Sequence, residues 1–153
     1  MAPRAAARLE LLGFADVSHY AGGKHDWMSA GLPTEGEKAR LPRAGTVARS
    51  DVPTCMPGDL VGQVDRAAGV AIVVDRDNVV VGMLRQEQLD GDPGMRVEDV
   101  MLCGPSTFRP YVPIGEMADY MTEHDLDSSP VTTSDGKLVG VLFRDDAVRA
   151  ANR

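Results

Sequence analysis

Few residues of the chain have types and spacings that could perform chemistry. His19, His25 and His124 lack acidic or cysteine partners at ligand spacing, which favours surface or packing roles over catalysis. Cys55 and Cys103 are isolated, with neither a C-x-x-C motif nor a histidine at metal spacing. This pattern argues against a zinc site or a redox pair and indicates a reducing compartment. Because no nucleophile is paired with a base, we predict that the protein is not an enzyme.

Charge and hydropathy exclude further classes of protein. The 153 residues carry a formal net charge of -7, divided into +2 over residues 1–50 and -9 over residues 51–153. A nucleic-acid binder or an anionic-membrane binder needs a cationic surface, so neither partner is expected. Glu10 and Asp16 interrupt the first 17 residues, which leaves no apolar run for a secretion signal or a membrane span. The sequence therefore predicts a cytoplasmic protein that requires no cofactor or metal.

A duplication organises the elements that would have to position any site. The segment GKLVGVLFRDD at 136–146 repeats the pattern of NVVVGMLRQEQ at 78–88, with an offset of 58 positions. The T-x-x-P motif at 107–110 repeats the one at 54–57, with an offset of 53. The first copy thus lacks five residues, between about Val64 and Gly69, and this gap falls within its predicted helix.

Each copy is predicted to fold as strand, helix, strand, turn, strand and closing helix. Asp-Asn at 77–78 and Asp-Gly at 135–136 are hairpin signals, because Asn and Gly accept positive φ. Upstream of the repeats we predict a helix, a short strand, a helical turn around Trp27, and a linker. The predicted ranges are helices 3–12, 59–68 and 113–124 and strands 14–20, 70–75, 79–84, 129–133 and 137–143. Residues 37–50 show no clear apolar period and are expected to be a linker or an arm that lies on another surface.

This order of elements resembles a pair of cystathionine β-synthase (CBS) domains. The T-x-x-P motif, the D-x-x-V-V-G hairpin and the duplication carry the resemblance, together with VEDVM at 97–101, since the family often has a helix just before the second repeat. The resemblance implies an α+β fold with two β-α-β-β-α repeats, 49–101 and 102–153, related by pseudo-two-fold symmetry.

Within the amino-terminal segment 1–48, which we interpret as a tail and a linker, residues 5–33 resemble the carboxy-terminal tail of a rhodanese-like domain. Such domains carry a nucleophilic cysteine upstream of the tail, and neither cysteine of this chain lies there, so we expect no sulfur transfer. The helix and strand could not bury their apolar residues alone, and we therefore expect this segment to pack on the CBS pair. The resemblance depends on Gly22, Gly23, Trp27, Gly31 and Pro33.

The CBS resemblance also implies an adenosyl ligand, such as AMP, ATP or S-adenosylmethionine, in the cleft between the repeats. The family fingerprint is G-h-x-[T/S]-x-x-[D/N], in which the acid accepts hydrogen bonds from the ribose diol and the hydroxyl residue meets a phosphate. In the second copy Asp146 takes the acid position and Phe143 replaces the hydroxyl residue. In the first copy Gln88 and Arg85 take these two positions. We therefore expect Asp146 to hold the ligand.

The predicted site draws on three segments of the second repeat: its first strand, the start of its central strand, and the start of its last helix. Two adjacent carboxylates in a helical first turn also stabilise the helix dipole without any ligand, and this alternative stays open. They would repel phosphates unless an arginine neutralises them, which favours a lightly charged ligand. The candidate residues are Thr107, Phe108, Arg109, Ser128, Ser129, Pro130, Arg144, Asp145 and Asp146.

The sequence thus predicts a regulatory module that senses an adenosyl metabolite. The alternative is an interaction scaffold that keeps the fold and has lost nucleotide binding, which the missing hydroxyl residue favours. The resemblance further implies a homodimer formed through helices. Candidate contacts are Ile114, Met117, Met121, Ala147 and Val148.

Overall fold

The computed structural model describes residues 2–30 and 32–153, so Gly31 of the amino-terminal motif lies outside the described residues. The chain forms two compact units, the first ending at Ala39 and the second spanning Arg40–Arg153. The first unit holds helices α1 (Ala2–Leu11) and α2 (Gly23–Ser29), and a 3-10 helix, Glu37–Arg40, follows. The strand predicted at 14–20 is wrong: these residues are irregular. A lone extended segment has no ladder partner to stabilise it.

The helical turn predicted around Trp27 is present as α2. The indole Nε1 donates to the Pro33 carbonyl at 2.8 Å, and the ring meets Tyr20 edge to face with centroids 5.3 Å apart. The Tyr20 hydroxyl in turn donates to Asp26 at 2.6 Å, a bond that raises the pKa of the phenol. These contacts fix the loop after α1 against α2.

The second unit contains two sheets and the helices that pack on them. Its elements are α3 (Ala44–Val47), β1 (Thr54–Cys55), β2 (Val70–Val74), β3 (Val80–Arg85), α4 (Gln86–Leu89), α5 (Val97–Val100), β4 (Leu102–Cys103), α6 (Ile114–Glu123), β5 (Ser128–Thr132), β6 (Leu138–Phe143) and α7 (Arg144–Ala151). The first sheet has strand order β1-β2-β3-β4, with β1 parallel to β2 and the other pairs antiparallel. The second sheet pairs β5 with β6, and bridges at Phe108 and Arg49 extend it on either side.

The buried clusters on the helix sides of the two sheets repeat each other position by position. Cys55 of the first cluster corresponds to Phe108 of the second at the offset of 53, and Leu84 corresponds to Leu142 at the offset of 58. Apolar burial drives such packing, so the same pattern produces the same layer twice. The predicted α+β fold with two repeats is confirmed.

Reciprocal hydrogen bonds mark the pseudo-two-fold axis between the two hairpin turns. The Val80 amide donates to the Gly136 carbonyl at 3.0 Å, and the equivalent Leu138 amide donates to the Asn78 carbonyl at 2.9 Å. Asn78 and Gly136 have φ of 63° and 85°, which explains why these two residue types stand at the turns. Both hairpins follow the predicted strands closely.

The helices that precede the repeats are exchanged between them. The first residue of α3, Ala44, donates its amide to the Val112 carbonyl, and the first residue of α5, Val97, donates to the Asp59 carbonyl, both at 2.9 Å. Ala44 is buried in the core of the second repeat, whereas Val97 is buried in the core of the first. Residues 44–47, expected to belong to a linker or to an arm lying on another surface, are therefore a structural counterpart of α5 and pack on the second repeat.

The helix predicted at 59–68 is wrong. Only a 3-10 turn, Val61–Gln63, forms there, whereas its counterpart α6 runs for 10 residues. The first copy is five residues shorter, which is more than one helical turn. Val61 and Val64 remain buried, so the turn still closes its side of the core.

A third buried cluster joins the two repeats. Val70, Ile72 and Met83 project from the first sheet toward Val141 of the second, and Phe143 packs against this cluster. The cluster holds the two sheets face to face. Ligand clefts related by the pseudo-two-fold axis can therefore form only where this packing ends.

Candidate functional site

An open cleft of about 210 Å³ lies beside the cluster that joins the repeats. Its walls come from β3 and β4 on one side, and on the other from the segment before Phe108 and the start of β5. It lies at the first repeat's fingerprint, around Arg85, and not at Asp146. The lining residues are Met83, Arg85, Leu102, Pro105, Ser106, Leu126, Ser128 and Ser129.

The lining of the open cleft offers apolar surface, hydroxyls and one cation. Ser129 is 2% exposed and its hydroxyl donates to the Ser106 carbonyl at 2.7 Å, which fixes that wall. Ser128 adds a second hydroxyl, and Arg85 is the only charged residue that the described part of the chain contributes to the lining. Such a mixture of apolar faces and a few polar groups is typical of small-molecule sites.

The counterpart of the open cleft is filled by the protein's own side chains. Phe143 and Arg49 stand at the positions equivalent to Arg85 and Leu102. The Arg49 guanidinium lies 4.7 Å from the Phe143 ring centroid, and its Nε donates to Asp146 Oδ2 at 2.6 Å. The Asp146 carboxylate is 14% exposed and also meets Arg149 at 3.4 Å. The acid predicted to bind ribose is thus already paired within the chain.

Arg144 and Asp145 lie at the start of α7, outside the open cleft. The Arg144 guanidinium bridges Asp125, at 2.8 Å, and Asp127. The hydrogen bond to Asp125 is the main cause that raises the pKa of Arg144. Asp145 is exposed to solvent. Arg144 therefore neutralises the two acids before β5, not Asp145 or Asp146.

The remaining predicted site residues support the second sheet. Phe108 and Pro130 are buried, and Phe108 meets the Tyr120 ring edge to face with centroids 5.7 Å apart. Arg109 donates to the Thr132 hydroxyl and the Thr133 carbonyl, both at 2.6 Å. Thr107 is half-buried beside Phe108. Of the nine predicted residues, the structure brings only Ser128 and Ser129 into the open cleft.

Sequence reasoning missed most of the open cleft, although one signal was present. The offset of 58 aligns Arg85 with Phe143, and a free arginine leaves a strand end more open to ligand than a phenyl ring packed on the core. Arg49 carried no such signal, because 97 positions separate it from Asp146. Pairing of that kind becomes visible only in three dimensions.

The helical residues expected to form a dimer face divide into two groups. Ile114, Met121 and Ala147 are buried in the core of the second repeat, so the expectation that they contact a partner is wrong. Met117 is half-buried, and Val148 is 38% exposed. The apolar face of a helix packs on the core of its own domain, so apolar residues at helical spacing do not by themselves indicate a partner surface.

The described residues contain no candidate metal site, and the buried cysteine among them is unreactive. Across 2–30 and 32–153, no three His, Cys, Asp or Glu side chains lie close enough to hold a metal ion. Burial, followed by the charge of Asp59, raises the pKa of the Cys55 thiol to about 11, which keeps it protonated and unreactive at neutral pH. Among the same residues, no helix has the length and apolarity that a membrane span requires.

Comparison with known proteins places this architecture among CBS-domain pairs. Residues 97–153 match the model of the CBS domain family. No curated protein sequence matches the chain. Solved structures at or below 24% identity share the fold, and the chain therefore has the fold of a CBS-domain pair.

Three solved structures illustrate the likeness. The cytosolic domain of the magnesium channel MgtE in complex with ATP is 24% identical, with a TM-score of 0.64, over 72% of this chain and 50% of that one. CBSX2 is a CBS-pair protein from Arabidopsis thaliana. Its complex with AMP is 24% identical, with a TM-score of 0.60, over 72% of this chain and 96% of that one. A CBS-domain pair in complex with 5′-methylthioadenosine and S-adenosyl-L-methionine is 16% identical, with a TM-score of 0.60, over 71% and 94%. The chain thus spans about half the length of the MgtE structure.

Proposed function

We propose that the protein is a non-catalytic regulatory module of the cytoplasm that binds an adenosyl ligand in the open cleft between its repeats. One observation carries the proposal: the cleft is open, mostly apolar, and holds one unpaired cation. Structures with the same fold contain ATP, AMP or S-adenosylmethionine. Binding there would change how β3 and β5 pack, and so alter the surface presented to a regulated partner.

The groups around the cleft suit the parts of a mononucleotide. Met83, Leu102 and Leu126 offer apolar faces to a flat base, and Ser128 offers a hydroxyl to its edge. Arg85 stands at the fingerprint position that meets a phosphate. The pocket is smaller than the roughly 300–1,000 Å³ common for ligand sites, which favours a compact ligand.

Calorimetric titration with AMP, ATP, adenosine and S-adenosylmethionine tests the proposal. We expect binding of at least one of these at one site per chain, because Arg49 and Phe143 fill the counterpart position. Asp146→Asn should leave that affinity unchanged. Loss of binding in this variant would place the ligand at Asp146 instead, and absence of heat with all four compounds would refute ligand binding.

The absence of binding would favour a scaffold, the second candidate function. The ion pair between Arg49 and Asp146 and the shortened 3-10 turn of the first repeat are the observations that support it. On that interpretation the fold serves only to present surfaces. The amino-terminal unit, as a rhodanese-like remnant, would then provide one of these surfaces.

We also propose that the protein is a homodimer formed through α6 and α7. Tyr120 and Val148, each 38% exposed, place apolar surface on these helices. Sedimentation at micromolar protein should give the mass of a dimer, and Val148→Glu should shift it toward the monomer. A wild-type protein that sediments only as a monomer would exclude this assembly.

A further inference from the structure

Arg85 lies at the end of β3, beside the open cleft. Met83 and Arg85 lie two positions apart on β3, so both side chains leave the same face of the sheet. Met83 is buried in the cluster that joins the repeats, whereas Arg85 stands at the strand end, exposed, in the lining of the open cleft. The fold therefore carries this guanidinium at the mouth of the cleft.

The Arg85 guanidinium has no partner among the described residues 2–30 and 32–153. Other arginines of the second unit already use their donors within the protein: Arg49 on Asp146, Arg109 on Thr132, and Arg144 on Asp125. In contrast, no ion pair or side-chain hydrogen bond of Arg85 is present in that part of the chain. Its five N–H donors are thus available to a ligand.

The surrounding charges do not cancel this cation. Asp127, which directly precedes the wall residue Ser128, is paired with Arg144. Glu87 is the nearest acid along the chain, but it lies in α4 and does not line the cleft. A chain of net charge -7 thus presents a cleft in which, among the described residues, the only formal charge is positive.

Resting on the proposed function, we propose that Arg85 makes the open cleft selective for phosphorylated adenosyl ligands of the AMP class over adenosine and S-adenosylmethionine. A guanidinium matches two phosphate oxygens at once, in a charge-assisted pair that adenosine cannot form. S-adenosylmethionine brings a sulfonium cation, which the like charge disfavours. Since no second cation lines the cleft, further phosphates gain little, and ATP binds no more tightly than AMP.

Calorimetry on the full chain with Arg85→Gln tests this selectivity. The variant should bind AMP roughly tenfold to a hundredfold more weakly than the wild type does, and should bind adenosine within about twofold of the wild type. Arg76→Gln, an exposed arginine in the hairpin turn of the same repeat, serves as the matched control and should bind both compounds as the wild type does. Salt should weaken AMP binding by the wild type but not adenosine binding.

The outcomes separate this inference from the proposed function. If adenosine binds the wild type as tightly as AMP, or if Arg85→Gln leaves AMP binding unchanged, selectivity by Arg85 is refuted while ligand binding stands. If none of the compounds binds, the proposed function fails and this inference fails with it. The comparison of AMP, adenosine and salt in the wild type decides the question even if Arg85→Gln does not fold.

Discussion

Gly140→Ala is expected to be among the most destabilising single substitutions in the second repeat. A Cβ at this position would stand 2.6 Å from the Arg49 carbonyl oxygen and 3.0 Å from its carbon, and backbone cannot rotate away. Beside this contact, Arg49 and Val141 exchange two backbone hydrogen bonds of 2.9 Å. Both bonds would break if the added Cβ pushed Arg49 away from β6. Overpacking and the lost bonds together should lower the free energy of unfolding by about 3 kcal/mol, measured by urea denaturation.

Two other glycines provide controls for Gly140→Ala. Gly115→Ala meets no heavy atom within 4 Å and lies in the first turn of α6, so it should stabilise the protein by up to about 1 kcal/mol. Gly82→Ala, at the equivalent position of the first repeat, first meets the flexible Met101 sulfur at 2.7 Å and should cost less than Gly140→Ala. Equal losses at all three glycines would contradict the role of the Arg49 contact.

Leu84→Ala and Leu142→Ala should each lower the free energy of unfolding by about 2–5 kcal/mol. Both side chains are 0% exposed and occupy equivalent positions in the two cores, so each truncation leaves a cavity in a packed layer. Urea denaturation should show one transition that moves to lower urea in either variant, since the third cluster couples the repeats.

Leu60→Ala, which truncates a leucine that is 38% exposed, is the matched control for the two buried leucines and should cost less than about 1 kcal/mol. If only one of the two leucine variants lost less than 1 kcal/mol of unfolding free energy, the two cores would contribute unequally to stability. Two separate transitions would mean that the repeats unfold independently.

The fold was predictable because its apolar pattern is local and occurs twice in the sequence. The offsets of 53 and 58 aligned Val61 with Ile114 and Val73 with Val131, and the structure buries each of these pairs in equivalent layers. What patterning could not reveal was α3, because Ala44–Val47 shares no residue type with Val97–Val100 except the valine at the end. Its equivalence depends on backbone hydrogen bonds, which carry no side-chain signature.

The candidate site was less predictable than the fold, for a different reason. The sequence identified the fingerprint positions correctly as strand ends and helix starts, but whether a cleft stays open depends on side-chain volume and on distant charges. Phe143 fills one cleft and Arg85 leaves the other open, and Arg49, which lies 97 positions earlier in the sequence, pairs with Asp146. Competition between an internal cation and a ligand for one carboxylate requires coordinates.

The exchange of α3 and α5 limits how the chain can be divided. The bridge at Arg49 completes the sheet of the later repeat, and Leu102–Cys103 completes the sheet of the earlier one, so each half borrows its edge from sequence that precedes the other. Neither half, excised at the boundary between the repeats, retains all of its own pairing.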